Sequence, residues 1–289
     1  RLITEKNPLP FITGTICAHR CQTKCTRNFY DQSVQIRATK LVAAEKGYDA
    51  YMTKVKAPVP VTDGRKVAVI GGGPTGMSAA YFVGRAGIPV TLFERSDKLG
   101  GIVRHVIPAF RISDAAIDKD VALMEKMGVD VRLNTEAPSV AELKAQGYTH
   151  IFFAVGAWKA GKLDIPGNVV PVIGWLKNMK AGKAVSLGHV AVVGGGNTAM
   201  DAARAALRTG AKSSTLVYRR TRKYMPADAE ELELAIADGV QFLELVAPVE
   251  QKDGKLVCEK MKLGEPDAKG RRKPEPTGEF TEIACDTVI

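Results

Sequence analysis

Two glycine clusters and a trio of cysteines are the parts of this sequence whose residue types and spacing could do chemistry. The first cluster runs Gly71-Gly72-Gly73-Pro74-Thr75-Gly76 between an apolar run and a small-residue helical run. In that setting Gly71 allows a tight turn, Gly73 lets the backbone approach a pyrophosphate, and Gly76 lets helix and strand pack closely. The helix start then offers unpaired N–H groups to the phosphates. Glu94 follows Gly71 by 23 residues, at the end of the next apolar run. A carboxylate there can accept both hydroxyls of an adenosine ribose. The second cluster, Gly194-Gly195-Gly196-Asn197-Thr198-Ala199, is followed by Arg219 and Arg220 at the position an acid would hold. A guanidinium fork binds a ribose 2'-phosphate where a carboxylate would repel it, which favours NADP over NAD. The plain alternatives are an empty glycine turn and a solvated basic edge made by Arg219, Arg220, Arg222 and Lys223. Two dinucleotide sites of different ribose chemistry suggest a flavin and a nicotinamide exchanging a hydride.

Cys17, Cys21 and Cys25 are spaced so that thiolates can share a helix face or converge from a turn, as iron-sulfur ligation requires. Three are too few for an all-cysteine cluster, and a zinc site would need a fourth ligand, for which His19 is the nearby candidate. Three unligated cysteines in a basic segment are the plain alternative. No cysteine lies between Cys25 and Cys258, so the cysteine pair by which disulfide reductases pass electrons onward is missing. His150 and His189 read as structural, and Trp158 and Trp175 as packing groups.

These groups need elements to position them. Lys66 to Ile70 and Val90 to Glu94 read as strands, with a helix over Thr75 to Arg85 between them. Ser113 caps a helix that Gly128 stops; Val129, Val131 and Leu133 alternate as a half-buried strand; Ser139-x-x-Glu142 is a capping box. Ile151 to Val155 is a buried strand. Residues 157 to 187 form a Gly/Pro-punctuated bridge, after which the pattern restarts. His189 to Val193 and Thr215 to Tyr218 are strands flanking an Ala-rich helix that ends near Arg208, and Asp228-x-x-Glu231 opens a helix ending near Gly239. Lys252 to Lys255 is a hairpin turn, and Gly264 to Gly278 a charged, Pro-rich loop. The fold class is α/β: two Rossmann-like dinucleotide-binding domains behind a short helical segment.

The 289 residues are 45% apolar and 25% charged, which excludes disorder, and no apolar stretch is long enough to span a bilayer. The net charge of +10 is concentrated in residues 1 to 66, which carry +7. That surplus lacks the interleaved aromatics or motif of a nucleic-acid binder. Five cysteines without a disulfide framework fit a reduced, cytoplasmic setting. Arg1 opens without Met and the other end is apolar, so the chain reads as a piece of a longer protein.

The run Leu99-Gly100-Gly101 to Pro108-x-Phe110-Arg111, the turn Phe152 to Ala157, and the pair GGGNTAMDAAR and YRR resemble the small subunit of NADPH-dependent glutamate synthase and its relatives. Within that family the resemblance is nearest to an iron-sulfur flavoprotein branch associated with selenate reductase. The resemblance implies that Gly71, Gly73, Pro74, Thr75, Gly76, Glu94 and Arg95, with Leu99, Gly100, Gly101 and Arg111, hold FAD. It implies that Gly194, Gly195, Gly196, Asn197, Thr198, Ala199, Arg219 and Arg220 hold NADPH. It also implies that Cys17, Cys21 and Cys25 are metal ligands, sharing [4Fe-4S] clusters with cysteines upstream of Arg1 and so incomplete in this piece. Lys40 stands where relatives often place an acid or amide near a cluster.

The expected partition is therefore 1–62, a partial helical iron-sulfur segment; 63–160, the first part of an FAD domain; 161–282, an inserted NADPH domain; and 283–289, the start of a strand returning to the flavin sheet. The function this implies is a flavin oxidoreductase subunit that takes hydride from NADPH. Its electrons pass through clusters to an electron-accepting protein subunit or domain, with no acid-base residue nominated. The rival is a non-catalytic docking module that binds an acidic partner through the basic first segment.

Overall fold

A computed structural model describes every residue except Ala160, Ala184, Ser186, Lys269 and Arg271. Positions 160, 184 and 186 of the expected bridge, and 269 and 271 of the expected loop, thus lie outside the described residues. The chain divides into two compact units, residues 1–158 and 159–289. The first 62 residues pack as part of unit 1.

Unit 1 begins with three helices, α1 (Pro10–Ile16), α2 (Arg20–Thr23) and α3 (Ile36–Lys54), and a 3-10 turn at Thr26–Phe29. It continues with β1 (Val67–Ile70), α4 (Pro74–Arg85), β2 (Val90–Phe93), α5 (Gly101–His105), α6 (Asp114–Glu125), β3 (Asp130–Arg132), α7 (Val140–Ala145) and β4 (His150–Phe153). Its sheet is parallel in the order β3-β2-β1-β4. Parallel strands need helical crossovers, and the local signals supply their ends. The Ser113 hydroxyl accepts the Ala116 N–H, and Ser139 and Glu142 complete the capping box. Val69, Met77, Tyr81, Leu92, Ile117 and Met124 form the core between β1, β2, α4 and α6. The fully buried Asp120 of α6 accepts the Phe11 and Ile12 N–H groups at 3.1 and 2.7 Å, capping α1 from another helix.

Unit 2 contains α8 (Val172–Lys180), β5 (His189–Val193), α9 (Asn197–Arg208), β6 (Ser213–Tyr218), a 3-10 turn at Arg222–Tyr224, α10 (Ala229–Ala237), β7 (Gln241–Glu244), β8 (Val246–Lys252), β9 (Lys255–Pro266), β10 (Arg272–Ala284) and β11 (Thr287–Val288). Its parallel sheet has the order β11-β5-β6-β7, the same arrangement as in unit 1 with β5 in the place of β1. An antiparallel ribbon, β10-β9-β8, interrupts the path from β7 to β11 and buries Leu256 and Cys258 against that sheet's core.

Three expectations are corrected. The bridge 157–187 contains α8, whose Trp175 and Leu176 are buried. The Pro-rich stretch 264–278 is mostly strand: β10 is an edge strand, which tolerates Pro274 and Pro276, and the register shifts between Arg272 and Pro274 and between Pro276 and Phe280. The segment 283–289, expected to return to the flavin sheet, ends in β11, which pairs in parallel with β5 inside unit 2. Thr287 and Val288 are wholly buried, and Val288 is bonded on its outer side through the Val170 N–H and the Asn168 carbonyl. These bonds satisfy its backbone and fix it there.

Candidate functional site

A cavity of about 470 Å³ opens at the C-terminal ends of β1 and β2. Such an end is where open α/β sheets bind ligands. Gly71, Gly73, Pro74 and Thr75 line it from the glycine loop and the start of α4, and Glu94, Arg95 and Gly101 line it from the next strand end and α5. Gly76, Leu99, Gly100 and Arg111 lie outside the lining. Gly76 and Gly100 are structural: a methyl on Gly76 would run into the Gly71 carbonyl, and Gly100 has φ 118° with Arg104 behind it. Leu99 packs on Gly72.

Gly73 is different. Its φ is −74°, and a Cβ there would meet nothing closer than the Gly101 Cα at 3.8 Å. The absence of a side chain at Gly73 thus leaves room in the cavity and is not demanded by the backbone or the core. The start of α4 points its free N–H groups into the same space. Glu94 is buried, and its carboxylate takes the Gly72 N–H at 2.6 Å and the Ser96 N–H at 2.8 Å. Each oxygen keeps a second lone pair, so the acid is held in place while still able to accept a diol. Residues of this chain therefore fit the adenosine diphosphate half of a dinucleotide.

The signals in the sequence missed Thr135, Glu136, Ala137, Gly156 and Trp158, which line the same cavity. Trp158, expected to be packing, faces this cavity because the chain turns back at Gly156, whose φ is 72°. Sequence spacing carries no sign of which way a turn after a strand will swing. Trp175 does pack in the core, at 2% exposure.

In unit 2 a second cavity of about 580 Å³ lies beside the other glycine loop. Gly194, Gly196, Thr198 and Ala199 line it, with apolar groups of the 163–172 segment and Ile289 opposite. A Cβ on Gly196 would meet nothing within 4 Å, whereas one on Gly195 would enter the Tyr218 ring. Gly196 thus repeats Gly73. Asn197 is not among the lining residues, and its side-chain oxygen accepts the Asp228 N–H at 3.0 Å. Arg219 is exposed and Arg220 half-buried at the end of β6, outside the cavity lining. Arg222 is taken by Glu233.

The cysteine trio is spread over the first segment: Cys17 ends α1, Cys21 is within α2, and Cys25 precedes the 3-10 turn. Cys17 and Cys21 are exposed, and among the described residues no three His, Cys, Asp or Glu side chains converge on a metal position. Hydrogen bonds from the Val34 and Arg27 backbone hold the Cys25 thiol below the ordinary thiol range. Lys40, read as standing near a cluster, reaches Thr13 at 3.0 Å. Cys258 and Cys285 are buried in unit 2, and burial pushes the Cys258 thiol up to about 11. No cysteine lines either cavity. His189 bonds Ser213 at 2.9 Å across the β5–β6 pair, and His150 bonds its neighbour Thr149 at 3.0 Å.

Both glycine loops thus end in a helix start with an open glycine. The sequence pattern of the pyridine nucleotide-disulphide oxidoreductases matches residues 38–146 and 65–289. The chain belongs to this family. Membership implies a flavin and a nicotinamide nucleotide as the cofactors. The chain is 44% identical to the oxidoreductase YgfK of Escherichia coli (strain K12) over 100% of its own length and 29% of that protein's. It is 38% identical to the NADPH-Fe(3+) oxidoreductase subunit beta of Geobacter sulfurreducens, again over 100% of its length and 46% of that subunit's. With the glutamate synthase [NADPH] small chain of Escherichia coli (strain K12) it shares 31% identity over 99% of its own length and 66% of that chain's. The resemblance drawn from the motifs therefore holds at the level of the glutamate synthase small chain, while selenate appears in none of these names. A solved 2-naphthoyl-CoA reductase complex matches 81% of the chain and 34% of its own with a TM-score of 0.62 at 24% identity, a likeness of fold. The chain spans less than half the length of the first two relatives. Among the described residues no helix is long and apolar enough to cross a membrane.

Proposed function

We propose that unit 1 binds FAD, that unit 2 binds NADPH, and that the chain serves a longer oxidoreductase as its NADPH-to-flavin module. The observation that carries this reading is the contrast between two similar loops: a buried, N–H-anchored Glu94 follows the first and Arg219 with Arg220 follows the second. The carboxylate accepts an unphosphorylated ribose, and the guanidinium pair favours a 2'-phosphate. NADPH supplies a hydride, and a flavin accepts it and can release it as single electrons. The chain's own residues bind and orient: the starts of α4 and α9 take pyrophosphates, and Gly73 and Gly196 keep the ground clear for them. No side chain in either cavity is needed as an acid or base.

Cys17, Cys21 and Cys25 remain the candidate cluster ligands, and backbone hydrogen bonds hold the Cys25 thiol below its ordinary range. As they stand they do not enclose a cluster. Ligation would need further thiolates from the longer protein, so no electron step is carried through them here. The Geobacter relative's name points to an electron acceptor beyond the flavin, and an electron-accepting subunit or domain is the partner this reading implies.

The test is to purify the chain, reconstitute it with FAD, and titrate NADPH and NADH anaerobically while recording flavin bleaching. Stoichiometric flavin bleached preferentially by NADPH supports the assignment. A chain that takes up no flavin, or takes it up equally after Gly73→Val, refutes it.

A further inference from the structure

The lining of the first cavity holds a pair of side chains that the glycine-loop pattern does not account for. The Arg95 guanidinium sits over the Trp158 indole, 5.9 Å from the ring centroid, and both groups line the cavity. Each is brought there by a separate device. Arg95 directly follows Glu94, whose anchoring by the Gly72 and Ser96 N–H groups fixes the strand end from which Arg95 projects. Trp158 follows the turn at Gly156, where a Cβ would lie 3.6 Å from the indole nitrogen.

We propose that Arg95 and Trp158 form a clamp for the adenine ring of the dinucleotide in unit 1. The inference rests on the reading that this cavity takes FAD. Glu94 fixes where the adenosine ribose must sit. The base is joined directly to that ribose, so it lies within one ring's reach of the residue next to Glu94. A purine has two flat faces and few strong hydrogen-bonding groups, so stacking is the contact that holds it best. A tryptophan face and a guanidinium plane are the two protein groups that stack most strongly on such a ring. Both groups line the cavity, so an incoming base would replace their mutual contact with contacts to both. Specificity follows: a purine covers the indole, while a pyrimidine covers less of it.

Trp158 and Trp175 are the two tryptophans, and Trp175 is buried in unit 2. In the full chain carrying Trp175→Phe, all indole emission therefore comes from Trp158. ADP is the probe, because it lacks a flavin and cannot quench by energy transfer into one. Saturable quenching by ADP is expected, weaker binding by CDP, and loss of the signal in a Gly73→Val control. Trp158→Ala should weaken ADP and FAD roughly ten- to a hundredfold, the scale of one lost stacking contact, while Trp158→Phe should recover most of that. Unchanged Trp158 emission with ADP bound, or Trp158→Ala binding ADP and FAD as wild type does, overturns the clamp and leaves the FAD assignment standing. Failure of the wild-type chain to bind either ligand overturns both.

Discussion

Asp120 accepts the Ile12 N–H at 2.7 Å, across 108 residues of sequence, and in doing so caps the helix whose last turn leads into Cys17. The bond links the cysteine segment to the nucleotide-binding unit through a buried carboxylate. It makes the position of that helix sensitive to one side chain.

Burial pushes the Asp120 carboxyl up to about 7, against the N–H groups of Ile12 and Phe11 and the charge of Lys40, which pull it down. The folded chain therefore holds this proton more tightly than the unfolded chain. The stabilisation is complete below the ordinary carboxylate range near pH 4 and is lost as the pH rises through about 7. Thermal melts from pH 4 to 8 should show wild type losing stability relative to Asp120→Asn across that window. Asp120→Ala, which strands two N–H groups, should cost about 2 to 4 kcal/mol at low pH, where the wild-type carboxyl is protonated, and less as the pH rises through about 7. Parallel melting curves for wild type and Asp120→Asn would refute the titration.

The glycines of the first loop should separate into two kinds. Gly73→Val should leave the melting temperature nearly unchanged yet abolish flavin retention, because its side chain would enter the cavity and not the protein. Gly76→Val should fail to fold, since its first carbon already collides with the Gly71 carbonyl. Circular dichroism melts and bound-flavin absorbance distinguish the two outcomes.

If Arg219 and Arg220 hold a 2'-phosphate, replacing both with Gln should weaken NADPH by about 2 to 4 kcal/mol, the worth of charge-assisted bonds. NADH should be almost unaffected. Equal losses for both nucleotides would make the pair a general basic edge.

Thiol titration with a chromogenic disulfide should count three fast cysteines and two slow ones in the folded chain. Cys17 and Cys21 are exposed and Cys25 is polarised toward the thiolate; Cys258 and Cys285 are buried, and a protonated buried thiol reacts slowly. Hydrogen bonds hold the Cys25 thiol below the ordinary thiol range, so it should stay reactive as the pH is lowered below that range, and Cys25→Ser should remove that persisting phase. A uniform rate for all five would contradict the placement.

Features governed by short-range chemistry were legible in the sequence. The Ser113 and Ser139 caps, the Asp253-Gly254 turn and the 23-residue step from Gly71 to Glu94 all emerge in the structure as read. What depended on distant partners was not. Pro274 and Pro276 signal a loop unless the strand carrying them is known to be an edge. The helix α8 has a glycine, Gly174, in its second position pair and a proline before it, which hid its buried Trp175 and Leu176. In the candidate site, Glu94 and the glycines were found because their spacing is dictated by one βαβ unit. Trp158 was not, and neither, outside the site, was Asp120, because each acts on residues that only the fold brings near.

The two parallel sheets share a strand order but not the length of chain needed to close them. In unit 1 the contact between Lys66 and Thr149 spans 83 residues, while in unit 2 the one between His189 and Asp286 spans 97, with the ribbon β8 to β10 inside the interval. The difference scarcely matters at equilibrium, since loop-closure entropy grows only logarithmically. It matters for the order of events. Strands β5, β6 and β7 have all left the ribosome before β11 exists, and β5 meanwhile presents an unpaired edge. Antiparallel hairpins form quickly from local contacts, ahead of a long-range parallel pairing. The ribbon would therefore assemble first and carry Thr287 and Val288 to that edge, so a substitution that weakens the hairpin at Asp253-Gly254 should slow refolding of unit 2 more than it lowers its stability.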